Sequence, residues 1–369
     1  MMVGTLFLYN ILLIISVLCV VRSNHKYGYM QLAKWRNLYF LFPIVIFVFT
    51  FGLRYDVGMD FFNYKDSFEL GDNEKFEWLY ASVSRILQYL NASFYLFLSI
   101  LVLVYFCFLY KSLGHIAVIA PYCIFFFFCL GPFTFQLNGI RQAISFAIFL
   151  YAIRFIEQRN FFLYLILVIL ASGIHAFSMI LLPCYFLNGI SKKEIPFSII
   201  MFCYIFSCLF GENLLGRTVE ILLGNSDYLK LAGYGSYLET LGENKMTFNS
   251  GIGMKILQFM DILVLFYYPK VWKIFGTRFN LYFLLFFIGL LLYNIVGLDL
   301  LGNRAIYCFI SIRFIVYGYL MYYLLWNIKK NKIHLFIALM IFLLSYMYFI
   351  ASILGSANGC SPYQNILFV

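Results

Sequence analysis

Charge is scarce in this chain. Only 11% of its 369 residues are Asp, Glu, Lys or Arg, against about 25% in a soluble domain. With 64% hydrophobic residues beside so little charge, the chain is excluded from the soluble class. Its nine cysteines contain no pair at metal or redox spacing. Apart from Cys360 they fall in apolar segments, where cysteine behaves as a small hydrophobe. There is no Walker motif, no glycine-rich dinucleotide fingerprint, no HExxH and no nucleophile elbow. No acid pair has the Asp-x-Asp form of a metal-bound nucleotide-sugar enzyme. These absences argue against ATP or a cytoplasmic nucleotide sugar as donor, and no metal or cofactor is implied. Internal repeats and low-complexity tracts are lacking as well.

What the chain has is apolar runs near 20 residues, recurring from end to end. That defines an all-α, polytopic helical membrane bundle, read as a single transmembrane domain over 1–369. Twelve spans are predicted: 3–21, 38–53, 92–110, 116–132, 141–157, 161–174, 176–190, 195–211, 255–269, 279–298, 305–326 and 333–354. No basic residue precedes the first run. The first cation is Arg22, after it, an order that favours a permanent span over a cleaved signal. The net charge of +10 calls for no nucleic acid. If the loop 22–37 is inside, the inner loops hold most of the cations, from Arg22, Lys26, Lys34 and Arg36 to Lys329, Lys330 and Lys332. Their acids are Glu157 and Glu194. This is the positive-inside pattern, and it places both termini outside.

The orientation depends on 161–190. Read as one helix it reverses the charge bias; read as a broken hairpin it preserves it. Ser172-Gly173 and Pro183 supply breaking points. Short broken segments are tolerated where backbone lines a protein-enclosed cavity. His175 then tips the hairpin on the outer side. Two long outer segments follow from this arrangement, 54–91 and 212–254. The first ends in a stretch of helical periodicity, Phe76 to Leu87, suited to lying along the interface. The second is rich in Gly, Asn and Tyr, including Tyr228, Tyr234 and Tyr237.

The polar residues of interest collect on that outer side. Arg54-Tyr55-Asp56-Val57-Gly58-Met59-Asp60-Phe61-Phe62-Asn63-Tyr64 follows an apolar run. Arg141 and Gln142 open a span, and Asp299, Asn303 and Arg304 precede another. Arg313 lies nine residues further, deep in the hydrocarbon region, where an Arg costs at least about 2.5–3.5 kcal/mol. It either serves a ligand or pairs with an intramembrane acid such as Asp261. Arg54 and Arg141 either snorkel to water or join in binding. Positive-inside bias thins Arg from outer segments, so several Arg at outer span ends point to an anionic ligand such as a lipid pyrophosphate. His175 is either a hydrogen-bonded residue at a helix break or a general base. Asp60 and Asp56 compete for the base role, although Arg neighbours lower a carboxylate's pKa and weaken it as a base. The outer tyrosines either stack on sugars or form the ordinary aromatic belt.

The string Arg54 to Asp60 with Tyr64 resembles the Arg-Tyr-x-x-Gly-x-Asp-Tyr-x-x-Tyr signature of EpsG-like, Wzy-type bacterial polysaccharide polymerases, with Phe61 where a tyrosine often stands. Glu77-Trp78-Leu79-Tyr80 is similar to the family's Glu-Pro-x-Tyr element, with Trp for Pro. Arg141-Gln142, His175 and the closing Pro362-Tyr363-Gln364-Asn365 are similar too. The resemblance implies a multi-pass protein of the bacterial inner membrane. It implies an O-antigen or exopolysaccharide polymerase working at the outer face without metal or cofactor. Such an enzyme transfers a glycan from undecaprenyl pyrophosphate to the end sugar of another lipid-linked repeat unit. Its partners are that lipid-linked oligosaccharide, membrane lipid and a chain-length regulator. On this reading Arg141, Arg304 and Arg313 hold pyrophosphate, with Gln142 beside them. His175 is the base, with Asp60 the alternative. Arg54, Tyr55, Asp56, Gly58 and Tyr64 shape the acceptor side. An O-antigen ligase-type transferase and a polysaccharide or lipid transporter are the alternatives. A transporter predicts paired broken helices in two repeated halves, and the sequence offers one candidate hairpin and no repeat.

Overall fold

The computed structural model describes residues 2–27, 37–211, 252–296 and 300–368. Among them helix dominates and there is no strand beyond one isolated bridge, Arg54 with Asn365. The segment 212–251, with Tyr228, Tyr234 and Tyr237, lies outside the described residues, as do Lys34, Arg36 and Asp299 and the side chain of Asn303.

Helix α1 (Met2–Tyr27) leads to α2 (Leu38–Gly52), which Asn37 caps by accepting the Tyr39 N–H at 3.0 Å. Two short helices follow on one end of the bundle, α3 (Phe61–Leu70) and α4 (Trp78–Tyr89). Helix α4 is amphipathic as predicted: it buries Tyr80, Ala81 and Ser84 and leaves Trp78, Ile86 and Tyr89 exposed. Ser93 caps α5 (Phe94–His115). Helix α6 (Ala120–Cys129) meets α7 (Pro132–Asn138) at a 55° bend. The turn there is Leu130-Gly131-Pro132. Gly131 sits at φ 104°, and Pro132 occupies the first helical turn, where its missing N–H costs nothing.

The centre of the bundle is α5 packed between α2 and α8 (Ile140–Glu157), with α9 (Phe161–Ser172) against α8. Aromatic rings fill the α2–α5 contact, where Phe47 stacks on Phe106 at 4.0 Å, and the α6–α7 bend, where Phe128 stacks on Phe133 at 4.3 Å. The remaining elements are a 3-10 helix (Ala176–Phe186), α10 (Leu187–Ser191), α11 (Phe197–Phe210), α12 (Ile252–Val296), α13 (Leu300–Ile310), α14 (Arg313–Trp326) and α15 (Ile333–Leu354). Helix α12 reverses at Gly276, which has φ 58°. The Tyr268 ring lies 4.2 Å from Phe283 across that turn, so two antiparallel arms stand where two spans are predicted.

The segment 161–190 folds back as a hairpin. Tyr164 bonds the Leu181 carbonyl, and Phe161 meets Tyr185 ring to ring at 5.0 Å. The 12 residues of α9 reach about 18 Å at 1.5 Å per residue, short of the roughly 30 Å hydrocarbon core. Among the described residues five helices qualify as spans by length and composition, with the two arms of α12 counted as one, or six if the bent pair α6 and α7 counts as one. The other predicted spans are helical but include four apolar helices of 10–17 residues. The predicted span 305–326 is among the five that qualify, with a two-residue turn at Ser311-Ile312 where α13 passes into α14.

Candidate active site

Helix α8 separates two polar ends. At its C-terminus Glu157 accepts from His115 at 2.8 Å and from the Arg278 Nε at 3.4 Å. Arg141 stands at its N-terminus, 16 residues away, and around it the predicted site residues gather.

The string after α2 is built into the scaffold. Arg54 is 1% exposed. Its Nε donates to the Val57 carbonyl at 3.1 Å, Nη1 to Phe51 at 3.0 Å and Nη2 to Leu137 at 3.1 Å. Three carbonyls thus take the guanidinium. The Tyr55 N–H donates to Gln364 at 3.1 Å, Gly58 to Gly359 at 2.9 Å, and Ile366 back to Leu53 at 2.9 Å. The two most sequence-distant parts of the resemblance are therefore one backbone ladder. Tyr9 reaches it from α1, donating to the Cys360 carbonyl at 2.7 Å.

Gly58 explains its own identity. It adopts φ 98°, and a Cβ there would lie 2.1 Å from the Leu137 oxygen. Both conformation and space are closed to a side chain. Gly58→Ala is expected to displace the α7–α8 junction and lower the melting temperature by about 4 °C or more, read by thermal melting in detergent. A melting temperature equal to that of the wild type would refute the close approach.

Asp56 is exposed at φ 50°. Asp60 is half-buried; its N–H donates to Asn138 Oδ1 at 2.8 Å, and its Oδ1 accepts from Asn63 at 3.3 Å. Tyr55 packs edge-on against Phe61 at 5.9 Å.

Tyr64 links this scaffold to Arg141. The Arg141 guanidinium lies 4.6 Å from the Phe76 ring centroid, 5.5 Å from Tyr80 and 5.8 Å from Tyr64. Such aromatic faces attract a cation. Its Nη1 donates to Glu77 Oε2 at 2.5 Å, and its Nε is buried with no hydrogen-bond partner among the described residues. Gln142 donates to the Arg304 carbonyl at 2.8 Å, which ties the start of α8 to α13. His175, 5% exposed, stands just ahead of the 3-10 helix at the hairpin tip, in the N-cap position without a side-chain capping bond. Burial, and then the positive charges of Arg141 and Arg304, push its imidazole well below its ordinary value. His175 is therefore neutral near pH 7, available to take a proton but a weaker base than a free histidine.

Arg313 stands apart from this group. It forms a two-pronged pair with Asp261, Nε to Oδ1 at 2.9 Å and Nη2 to Oδ2 at 2.7 Å, and Tyr317 donates to the same Oδ1 at 2.8 Å. So the structure brings together Tyr64, Arg141, Gln142, His175 and Arg304, with Asp60 at the border. Arg54 and Gly58 serve the backbone around them. Glu77 belongs to the cluster and escapes the selection by sequence, where it is one acid among several in 54–91. Its signal is its place just ahead of Trp78-Leu79-Tyr80. Among the described residues no three His, Cys, Asp or Glu side chains converge as a metal site requires. An apolar groove of about 850 Å³ between α1, α6, α14 and α15 contains none of the cluster residues.

A many-helix membrane bundle with a cationic, aromatic-lined cluster at one end is the class that fold and site define. The EpsG family model matches residues 37–365, and the chain belongs to that family. Membership makes it a membrane protein of bacterial polysaccharide biosynthesis. No curated protein and no solved structure matches it.

Proposed function

We propose that this protein is a polysaccharide polymerase. It transfers a glycan from an undecaprenyl pyrophosphate carrier to the terminal sugar of a lipid-linked repeat unit at the outer face of the inner membrane. The observation that carries the reading is the convergence of Arg141, Arg304 and His175. Two permanent cations and a neutral imidazole suit a reaction that releases pyrophosphate and deprotonates a hydroxyl.

In the reaction the bond between the glycan's anomeric carbon and the pyrophosphate oxygen breaks, and its electron pair stays on the pyrophosphate. Arg141 and Arg304 stabilise the charge that develops there. The acceptor hydroxyl oxygen bonds to the anomeric carbon and its proton passes to His175, with Asp60 as the alternative base. Tyr64, Phe76 and Tyr80 present aromatic faces beside the cation. Arg313, engaged by Asp261, has no part in this mechanism. The energy resides in the phosphoglycosyl bond, so the scheme calls for no ATP.

The test is the purified full chain in proteoliposomes with a synthetic undecaprenyl pyrophosphate-linked repeat unit. A ladder of products is expected. Arg141→Ala and Arg304→Ala are each expected to cut ladder formation by about 100-fold or more, with the protein still folded in the membrane. Ladders of wild-type length from both variants overturn the pyrophosphate assignment. Single transfer to a different lipid indicates a ligase, and no glycan change indicates transport.

A further inference from the structure

Glu77 joins Arg141, at the start of α8, to the hairpin tip, which α8 also meets one turn further on through Ser145, bonded to the Ala171 carbonyl and to Ser178. Its Oε2 accepts from Arg141 at 2.5 Å, and its Oε1 accepts the Ala176 N–H at 3.0 Å. Ala176 is the first residue of the 3-10 helix after His175. The contact is reciprocated: Leu79 and Tyr80 at the start of α4 donate to the Gly173 carbonyl at 2.8 and 3.2 Å. A Cβ on Gly173 would fall 2.6 Å from the Trp78 ring, so α4 and the hairpin tip lie in direct contact.

We propose that Glu77 is a positioning residue, one carboxylate that holds the Arg141 guanidinium and the His175 hairpin at a fixed separation for the reaction. The assignment rests on the polymerase reading above. The physical argument has two parts. A carboxylate's two oxygens are rigidly spaced, so partners held by both are held relative to each other. Its side chain is only 9% exposed, so water loosens the link little. In addition, Glu77 and an anionic ligand address the same cation. The Glu77 charge weakens Arg141 as a ligand trap while fixing where that cation points. Removing the charge therefore strengthens anion binding and damages geometry. A purely structural residue would not produce opposite effects on binding and turnover.

Glu77→Gln keeps an oxygen that can accept the Ala176 N–H and removes the charge facing Arg141. Ala176→Pro removes the other link alone. His175 has φ −149° and ψ 111°, the extended conformation that a residue before proline prefers, and proline is tolerated in a first helical turn.

The experiment uses the full chain in proteoliposomes with the synthetic lipid-pyrophosphate repeat unit, and it reads kcat, KM and melting temperature. Undecaprenyl pyrophosphate itself serves as the binding probe. Glu77→Gln is expected to lose about 100-fold in kcat while KM and probe affinity hold or improve and melting stays near wild type. Glu77→Asp is expected to recover part of the loss. Ala176→Pro is expected to lower kcat with KM nearly unchanged. Turnover of Glu77→Gln within twofold of wild type overturns the proposal. So does joint loss of kcat, probe affinity and melting temperature in both variants. If Glu77→Gln does not fold, Ala176→Pro decides: wild-type kcat overturns the proposal and a kcat loss at constant KM supports it. A wild-type protein that forms no ladder overturns the polymerase reading and takes the Glu77 assignment with it.

Discussion

Arg54→Ala and Arg54→Lys are both expected to destabilise the protein by on the order of 3 kcal/mol or more. The arginine gives separate N–H groups to the carbonyls of Phe51, Val57 and Leu137. Alanine leaves all three carbonyls inside the protein without that donor, and each such loss costs about 1–3 kcal/mol. Lysine carries its charge on one compact ammonium and cannot reproduce the planar fork. The conservative change is therefore expected to fail nearly as badly as the drastic one. Thermal melting and the yield of folded protein in the membrane are the measurements, with glycan synthesis expressed per folded molecule. Normal melting with lost synthesis would place Arg54 on the ligand instead.

That arrangement explains what was legible in the sequence. A charged string at a membrane edge reads as a ligand site because charge there needs a partner. The sequence carries no mark of whether the partner is a ligand or the protein's own carbonyls. Here the carbonyl of Leu137 lies more than 80 residues on, and the backbone ladder comes from 359–366. Breaks were easier. Ser172-Gly173 stands in an apolar run where any interruption is visible, and it coincides with the hairpin, whereas the bend at Gly131-Pro132 falls at the end of a predicted span and is shown only by the fold. The sequence does not choose between the two readings of Arg313, because residues 261 and 313 belong to helices whose mutual rotation no single sequence encodes. Glu77 is marked in the sequence only as part of Glu77-Trp78-Leu79-Tyr80: acids abound in its segment, and the fold alone sets this one against Arg141.

Arg313→Ala and Asp261→Ala are each expected to cost about 3–5 kcal/mol, because either leaves an unpaired charge inside the bundle. Replacing the whole group with hydrophobes, as Asp261→Leu with Arg313→Met and Tyr317→Phe, is expected to restore folding. Buried ion pairs exchanged for apolar residues of similar volume are often neutral or stabilising. The triple variant is also expected to keep glycan synthesis, since no ligand-facing group has been removed. Melting curves of the single and triple variants, followed by the ladder assay on the triple variant, check both statements. A triple variant that folds and makes no ladder would return Arg313 to the pyrophosphate.

The pairing of the string after α2 with residues 359–366 sets a timetable. Thr50 and Tyr363, which meet at 2.5 Å, are 313 residues apart. At 5–20 residues per second, a ribosome takes roughly 15–60 s to cover that distance. During that interval Gly58 and Tyr55 lack the backbone partners they have in the finished protein. The segment after α2 therefore cannot take its final form until residues 359–366 have been made, so its fold is completed only when synthesis is nearly over.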